Sequence, residues 1–217
     1  MKYFVNEIYR TIQGEGFRYG IPHVFVRMAK CNLSCKFCDT EFESYREMTG
    51  EEIVAECEAE ADRAVAMSTD AKVTGQIRGG SPLPQKKIRN VMFCGGEPLM
   101  QVNDELVDLF RGAGWFTVCE TNGTYAAPKN MDWIACSPKV AEHAIKLKKC
   151  HELKYVRGFG QGIPHPKLEA EHYLLSPMFT GDRLEERVMN WCIELVQANP
   201  AWRLTIQHHK INFGGMR

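Results

Sequence analysis

No stretch of this chain approaches eighteen consecutive apolar residues, so a membrane-spanning helix is not expected. The N-terminal MKYFVNEIYR is too polar for the apolar core of a secretory signal, which points to a cytoplasmic protein. Neither sign of charge is in excess. Lys and Arg total 27, as do Asp and Glu, and a formal net charge of zero gives no reason to expect a nucleic-acid partner. No internal repeat is visible either. Hydrophobic residues at 44% and charged residues at 25% are ordinary globular values, which excludes a disordered chain. A length of 217 residues fits one domain spanning 1–217.

Cysteine, by contrast, is abundant, with nine in the chain. An odd number, in a chain this long without a secretory signal, argues against a disulfide scaffold. Cys57, Cys119, Cys136 and Cys192 fall in apolar patterns and read as buried small hydrophobes. Cys150 lies in a Lys-rich stretch and has no assigned role. Cys31, Cys35 and Cys38 differ, because KCNLSCKFCDT offers three thiolates on one short loop and no local fourth. Each iron of a 4Fe–4S cube normally takes one Cys thiolate, so three cysteines leave one iron open. A structural zinc site would close all four positions, and a distant Cys or His completing one remains an alternative. Asp39 after Cys38, where a c-type haem site needs His, excludes that cofactor.

Short apolar or β-branched runs predict strands at 23–28, 90–95, 115–120, 132–137, 152–156, 172–176 and 202–206. Helices alternate with some of them. Thr49 and Glu52 make a capping box before IVAECEAEADRAVA. Asn103 caps DELVDLFRG, with Gly112 and Gly114 as its stop. Val188, Trp191, Cys192, Leu195 and Val196 form one apolar stripe on a last helix. The alternation predicts an α/β fold with a mainly parallel sheet, open or curled into a barrel. The polar, Gly/Pro-punctuated stretch 68–89 reads as a surface insertion, and 158–167 as a second loop.

Polar motifs stand where several predicted strands stop. The cysteine triad follows the first of them. Cys94-Gly95-Gly96-Glu97-Pro98 follows the second, Glu120-Thr121-Asn122-Gly123 ends the third and Ser137-Pro138-Lys139 ends the fourth. In α/β sheets and barrels, sites gather at the C-terminal ends of strands, so these ends predict one pocket.

The triad spacing resembles that of the radical S-adenosylmethionine (SAM) enzymes, whose open iron is chelated by SAM. The chain further resembles one family within them, the 7-carboxy-7-deazaguanine synthases. The resembling segments are TIQGEG (11–16), Arg27 in VFVRMAKCNL, the triad with Asp39-Thr40, GGEP, ETNG, SPK, ELK (152–154), SPM (176–178) and WRLTIQHHK (202–210). They span nearly the whole chain.

This resemblance implies a partial (β/α) barrel of the radical SAM type and a lyase with three cofactors: a 4Fe–4S cluster, SAM and Mg²⁺. The substrate implied is 6-carboxy-5,6,7,8-tetrahydropterin and the product 7-carboxy-7-deazaguanine. SAM is cleaved to a 5′-deoxyadenosyl radical that takes a hydrogen atom from the pterin C6, and ring contraction and loss of ammonia follow. Cys31, Cys35 and Cys38 would hold the cluster and Thr40 the Mg²⁺. SAM would be bound by Phe37, Cys38, Asp39, Gly95, Gly96, Glu97, Glu120, Asn122, Ser137, Lys139, Ser176, Pro177 and Met178. Glu97 would accept from the SAM amino group. Ile12, Gln13, Gly14, Glu15, Arg27, Cys94 and His209 would bind substrate, with Arg27 and His209 on its carboxylate and His208 as a competitor for the second role. A one-electron reductant (flavodoxin-like or ferredoxin-like) and a homodimer are also implied.

The chain departs from the family pattern at Cys94, where Thr is common, at His208 within Gln207-His208-His209-Lys210, and in the tail INFGGMR. Two other readings share parts of the pattern. One is a radical SAM activase that makes a glycyl radical on a partner protein, and the other is a zinc-binding interaction module.

Overall fold

The structure is a computed structural model. It describes residues 1–35, 38, 40–68 and 87–211, with only the backbone of 64–68. Most of the expected surface insertion, 69–86, therefore lies outside the described residues, as do Lys36, Phe37, Asp39 and the tail 212–217.

One nine-stranded sheet organises the chain, in the order β3-β1-β2-β4-β5-β6-β7-β8-β9. The strands are β1 (Lys2–Ile12), β2 (Pro22–Met28), β3 (Arg46–Thr49), β4 (Asn90–Gly95), β5 (Phe116–Thr121), β6 (Trp133–Cys136), β7 (Lys149–Arg157), β8 (Glu169–Pro177) and β9 (Trp202–Leu204). From β2 through β9 every neighbouring pair is parallel, while β1 runs antiparallel to both β2 and β3. The sheet is curled and unclosed, with β3 and β9 as its edges. This is the expected mainly parallel α/β architecture.

The seven apolar runs became the seven parallel strands. β1 and β3 are additions that the periodicity did not reveal. In β1, Tyr3 and Val5 are buried on odd positions but Ile8 on an even one. A bulge between Val5 and Glu7 switches the parity, since one extra residue turns every later side chain over. β3 is a four-residue edge, too short to carry a period.

Helices α1 (Gly50–Ser68), α2 (Asp104–Gly112) and α3 (Glu186–Ala198) start largely as predicted. The Thr49 N–H donates to Glu52 at 2.7 Å and the Glu52 N–H to Thr49 Oγ1 at 3.3 Å, closing the capping box. Asn103 Oδ1 accepts from the Leu106 N–H at 3.0 Å, and Gly114 turns the chain away at φ +79°. α1 packs on β1, β2 and β3, α2 on β5 and α1, and α3 on β8 and β9. The crossovers β5–β6, β6–β7 and β7–β8 carry no α-helix. Cys57, Cys119, Cys136 and Cys192 are buried as expected, and Cys150 joins them. No described helix is long and apolar enough to cross a membrane.

Candidate active site

Parallel pairing puts the C-terminal ends of β2, β4, β5, β6, β7 and β8 on one edge of the sheet, and two adjoining clefts open there. The first, about 330 Å³, is lined by Ile12, Gln13, Gly14, Glu15, Arg27, Thr40, Cys94, Gly95 and His209, together with Tyr9, Phe25, Glu120, Asp182, Gln207 and Lys210. The second, about 220 Å³, is lined by Cys35, Cys38, Gly96, Glu120, Asn122, Ser137, Lys139 and Met178, with Lys154 and Phe179 among the others. Glu15, Glu120, Gln207 and Lys210 border both clefts. All seven residues expected to bind substrate thus meet in one place, with Thr40 beside them. Most of those expected to bind SAM meet in the neighbouring cleft.

Gly95 lines the first cleft rather than the second, and three further expected SAM residues line neither. Glu97 is fully buried and lines neither cleft. Its carboxylate accepts from Thr121 Oγ1 at 2.6 Å, the Asn122 N–H at 2.7 Å and the Leu99 N–H at 3.1 Å. These three protein donors share the carboxylate, and Glu97 ties the β4 turn to the end of β5. Ser176 and Pro177 are the buried end of β8 and line neither cleft. Ser176 Oγ is buried without a hydrogen-bond partner among the described residues. Phe37 and Asp39 lie outside the described residues.

The GGEP turn fits its position through its glycines. Gly95 has φ +111°, and a Cβ there would stand 2.3 Å from the Met28 carbonyl oxygen. A Cβ on Gly96 would stand 1.9 Å from that of Lys30. The bare backbone lets β4 pass against the start of the triad loop, where the Gly96 N–H donates to Met28 at 3.0 Å and the Glu97 N–H to Lys30 at 2.9 Å.

A buried charge network separates the clefts. Lys154 Nζ lies 2.6 Å from Glu15 Oε2, and Gln13 Nε2 donates to Glu120 at 2.7 Å. Burial is the largest single effect and raises the Glu15 carboxyl, but the charge and hydrogen bond of Lys154, with the charges of His209 and Lys139, together hold Glu15 below the usual value. Burial dominates at Glu120 and raises it, even with Lys154 near. Burial opposes the Lys154 charge, yet Glu15 and Glu120 together hold it above the ordinary value. Lys139 makes no ion pair among the described residues: burial, then the Lys154 charge, lower it to about 8, and its Nζ donates to Ser137 Oγ at 2.6 Å. Burial, then the charge of Glu120, push the Cys94 thiol up to about 12, so it stands as a neutral S–H.

Lys154 was visible in the sequence only as part of ELK. A Lys two residues after a Glu, alternating with Leu153 and Tyr155 on the strand, is the signal that marks it. Tyr9 and Phe25 carried none, because aromatics on strands read as core. The two histidines are resolved by position, since His209 lines the first cleft while His208 stacks on Tyr19 at 4.3 Å.

The donor chemistry fits the implied cofactors. Cys35 and Cys38 border the second cleft, and the Cys38 N–H donates to the Cys35 carbonyl at 3.1 Å in a tight turn. Among the described residues no three His, Cys, Asp or Glu side chains already surround one point as metal ligands. Three thiols on one loop at the mouth of a cleft nevertheless suit a cluster with one open iron. The Lys139 ammonium and the Ser137 hydroxyl, beside them, suit a carboxylate ligand. Thr40 brings a hard oxygen into the first cleft, as Mg²⁺ requires.

No model of a known protein family matches the chain. Among curated proteins, a 7-carboxy-7-deazaguanine synthase of Bradyrhizobium diazoefficiens is 36% identical over 227 residues, covering 97% of this chain and 98% of its own. One from Bacteroides thetaiotaomicron is 35% identical over 210 residues, covering 95% and 96%. The crystal structure of QueE from Escherichia coli superimposes with a TM-score of 0.68 at 22% identity, over 95% of this chain and 94% of that one, and shares its fold. At this identity over nearly its whole length, the chain belongs to the 7-carboxy-7-deazaguanine synthase family.

Proposed function

We propose that the chain is a radical SAM lyase that converts 6-carboxy-5,6,7,8-tetrahydropterin to 7-carboxy-7-deazaguanine with loss of ammonia. The observation that carries this reading is the pair of joined clefts. One is bordered by the cysteine loop, the other holds Arg27, His209 and Thr40, and Glu15 and Glu120 stand between them. A second substrate would thus lie next to whatever is bound at the cluster.

The cluster with SAM supplies one-electron chemistry when bound, and Mg²⁺ would sit at Thr40. The chain's own residues bind and orient. Arg27 and His209 offer cations to a carboxylate, while Gln13, Glu15 and the Ile12–Gly14 backbone offer polar groups to a pterin edge. Lys154 keeps Glu15 ionised, so Glu15 enters the cleft as an acceptor. Lys139, Ser137, Asn122 and Met178 are the contacts available to SAM.

The same reading includes an external one-electron reductant, flavodoxin-like or ferredoxin-like, a homodimer and a cytoplasmic location. It also treats 1–217 as one domain with 68–89 inserted, which the single continuous sheet supports. Chemical analysis of anaerobically purified protein tests the cofactor half. About four irons and four sulfides per chain with a brown absorption band are expected. A colourless protein holding one zinc would overturn the reading in favour of a zinc module.

A further inference from the structure

Tyr9 lies on β1 directly across from Phe25 on β2, and the two rings stack at 5.4 Å and 18°. Two residues along β2, Arg27 pairs in register with Glu7 on one side and Cys94 on the other. Tyr9, Phe25, Arg27 and Cys94 all line the first cleft.

Within this group Arg27 Nη2 donates to Tyr9 Oη at 2.8 Å, and the guanidinium lies 5.5 Å from the Tyr9 ring centre. Glu7 stands 3.9 Å from Arg27 Nε, which is buried without a hydrogen-bond partner. The protein therefore holds the guanidinium by one hydrogen bond at Nη2 and a longer ion pair on the Nε side. Its Nη1 makes no hydrogen bond to the described residues.

Burial holds the Tyr9 phenol well above its ordinary value, so the hydroxyl keeps its proton. A hydroxyl has one hydrogen and two lone pairs. Because Tyr9 Oη accepts from Arg27, its hydrogen points elsewhere, and no described residue receives it. Cys94 offers only a weak S–H at this wall.

We propose that Tyr9 is a substrate-binding residue, whose hydroxyl joins Arg27 Nη1 in a two-donor grip on the substrate carboxylate. The inference rests on the pterin reading above and deepens it. A carboxylate lying against both donors would accept one O–H and one N–H, each charge-assisted. Arg27 donates to Tyr9 and makes the phenol a better donor in turn, since linked hydrogen bonds polarise one another. The Tyr9–Phe25 stack fixes where the hydroxyl points.

The test compares two ligands, 6-carboxytetrahydropterin and tetrahydropterin without the carboxylate, binding to the reconstituted enzyme with SAM. Tyr9→Phe keeps the stack and removes only the hydroxyl. Its preference for the carboxylated ligand is expected to fall about tenfold, as for a lost charge-assisted hydrogen bond. Tyr9→His, which restores a ring N–H, is expected to recover part of that preference, and it carries the test alone if Y9F does not fold. Equal weakening of both ligands in Y9F would mean packing rather than recognition and would overturn the proposal. So would a Y9F preference unchanged from wild type, or a Tyr9→His protein with no preference left. A wild-type enzyme that shows no preference would overturn the pterin reading itself and this inference with it.

Discussion

Glu15, Glu120 and Lys154 show what single side chains contribute to this site. Two carboxylates, 105 residues apart in sequence by their numbering (120 − 15), approach one buried ammonium. Removing one partner of such a cluster leaves an uncompensated charge, which costs far more than a surface pair returns. Lys154→Ala is expected to destabilise the fold by about 3–5 kcal/mol, read from urea unfolding. A loss below about 1 kcal/mol would mean that the two carboxylates find other partners. No pattern in the sequence announces this contact, because it depends on β5, β7 and the loop after β1 meeting. The motif glycines, the cysteine triad and the cap residues were legible because each acts within a few residues of itself.

Among the elements, the β4 turn is the junction of the sheet edge with the triad loop. Gly96→Ala would set a Cβ 1.9 Å from a backbone oxygen that cannot swing aside as a flexible side chain could. Either β4 or the loop after β2 must move, and a loss on the order of 3 kcal/mol is expected, with cluster incorporation falling in parallel. Thermal unfolding together with iron content checks this. A variant with the wild-type Tm and full iron would show that the close passage at Lys30 is not required. The strands around the turn were read from sequence because doubly covered parallel strands are continuous apolar runs, as HVFVRM and NVMFCG are. β1 escaped for the opposite reason. Its outer face is polar, and the bulge at Val5–Glu7 breaks the two-residue period that identifies a half-buried strand.

For the whole molecule, stability depends on a histidine that no motif marks. His23 is fully buried on β2, where Arg18 Nε donates to its Nε2 at 3.2 Å and its Nδ1 lies 2.8 Å from the Ile21 carbonyl. Burial, with Arg18 adding to it, depresses its pKa from 6.5 to about 4. Between these values the unfolded chain binds a proton that the folded one refuses, so stability falls as pH drops from about 6.5 toward 4 and levels below it. Between pH 7 and pH 5 this group alone is expected to cost about 2 kcal/mol. A His23→Gln protein should be less stable at pH 7 yet lose less on acidification. Equal losses in both proteins would place the acid sensitivity elsewhere.

The molecule as a whole is an assembly of strand ends around two joined clefts, and its chemistry is read in one vessel. Reconstituted protein is incubated anaerobically with SAM, a one-electron reductant, Mg²⁺ and 6-carboxytetrahydropterin, and the products are separated by mass. The expected result is 7-carboxy-7-deazaguanine, formed only when all four are present. SAM cleavage without any deazaguanine would show that the first cleft takes a different substrate.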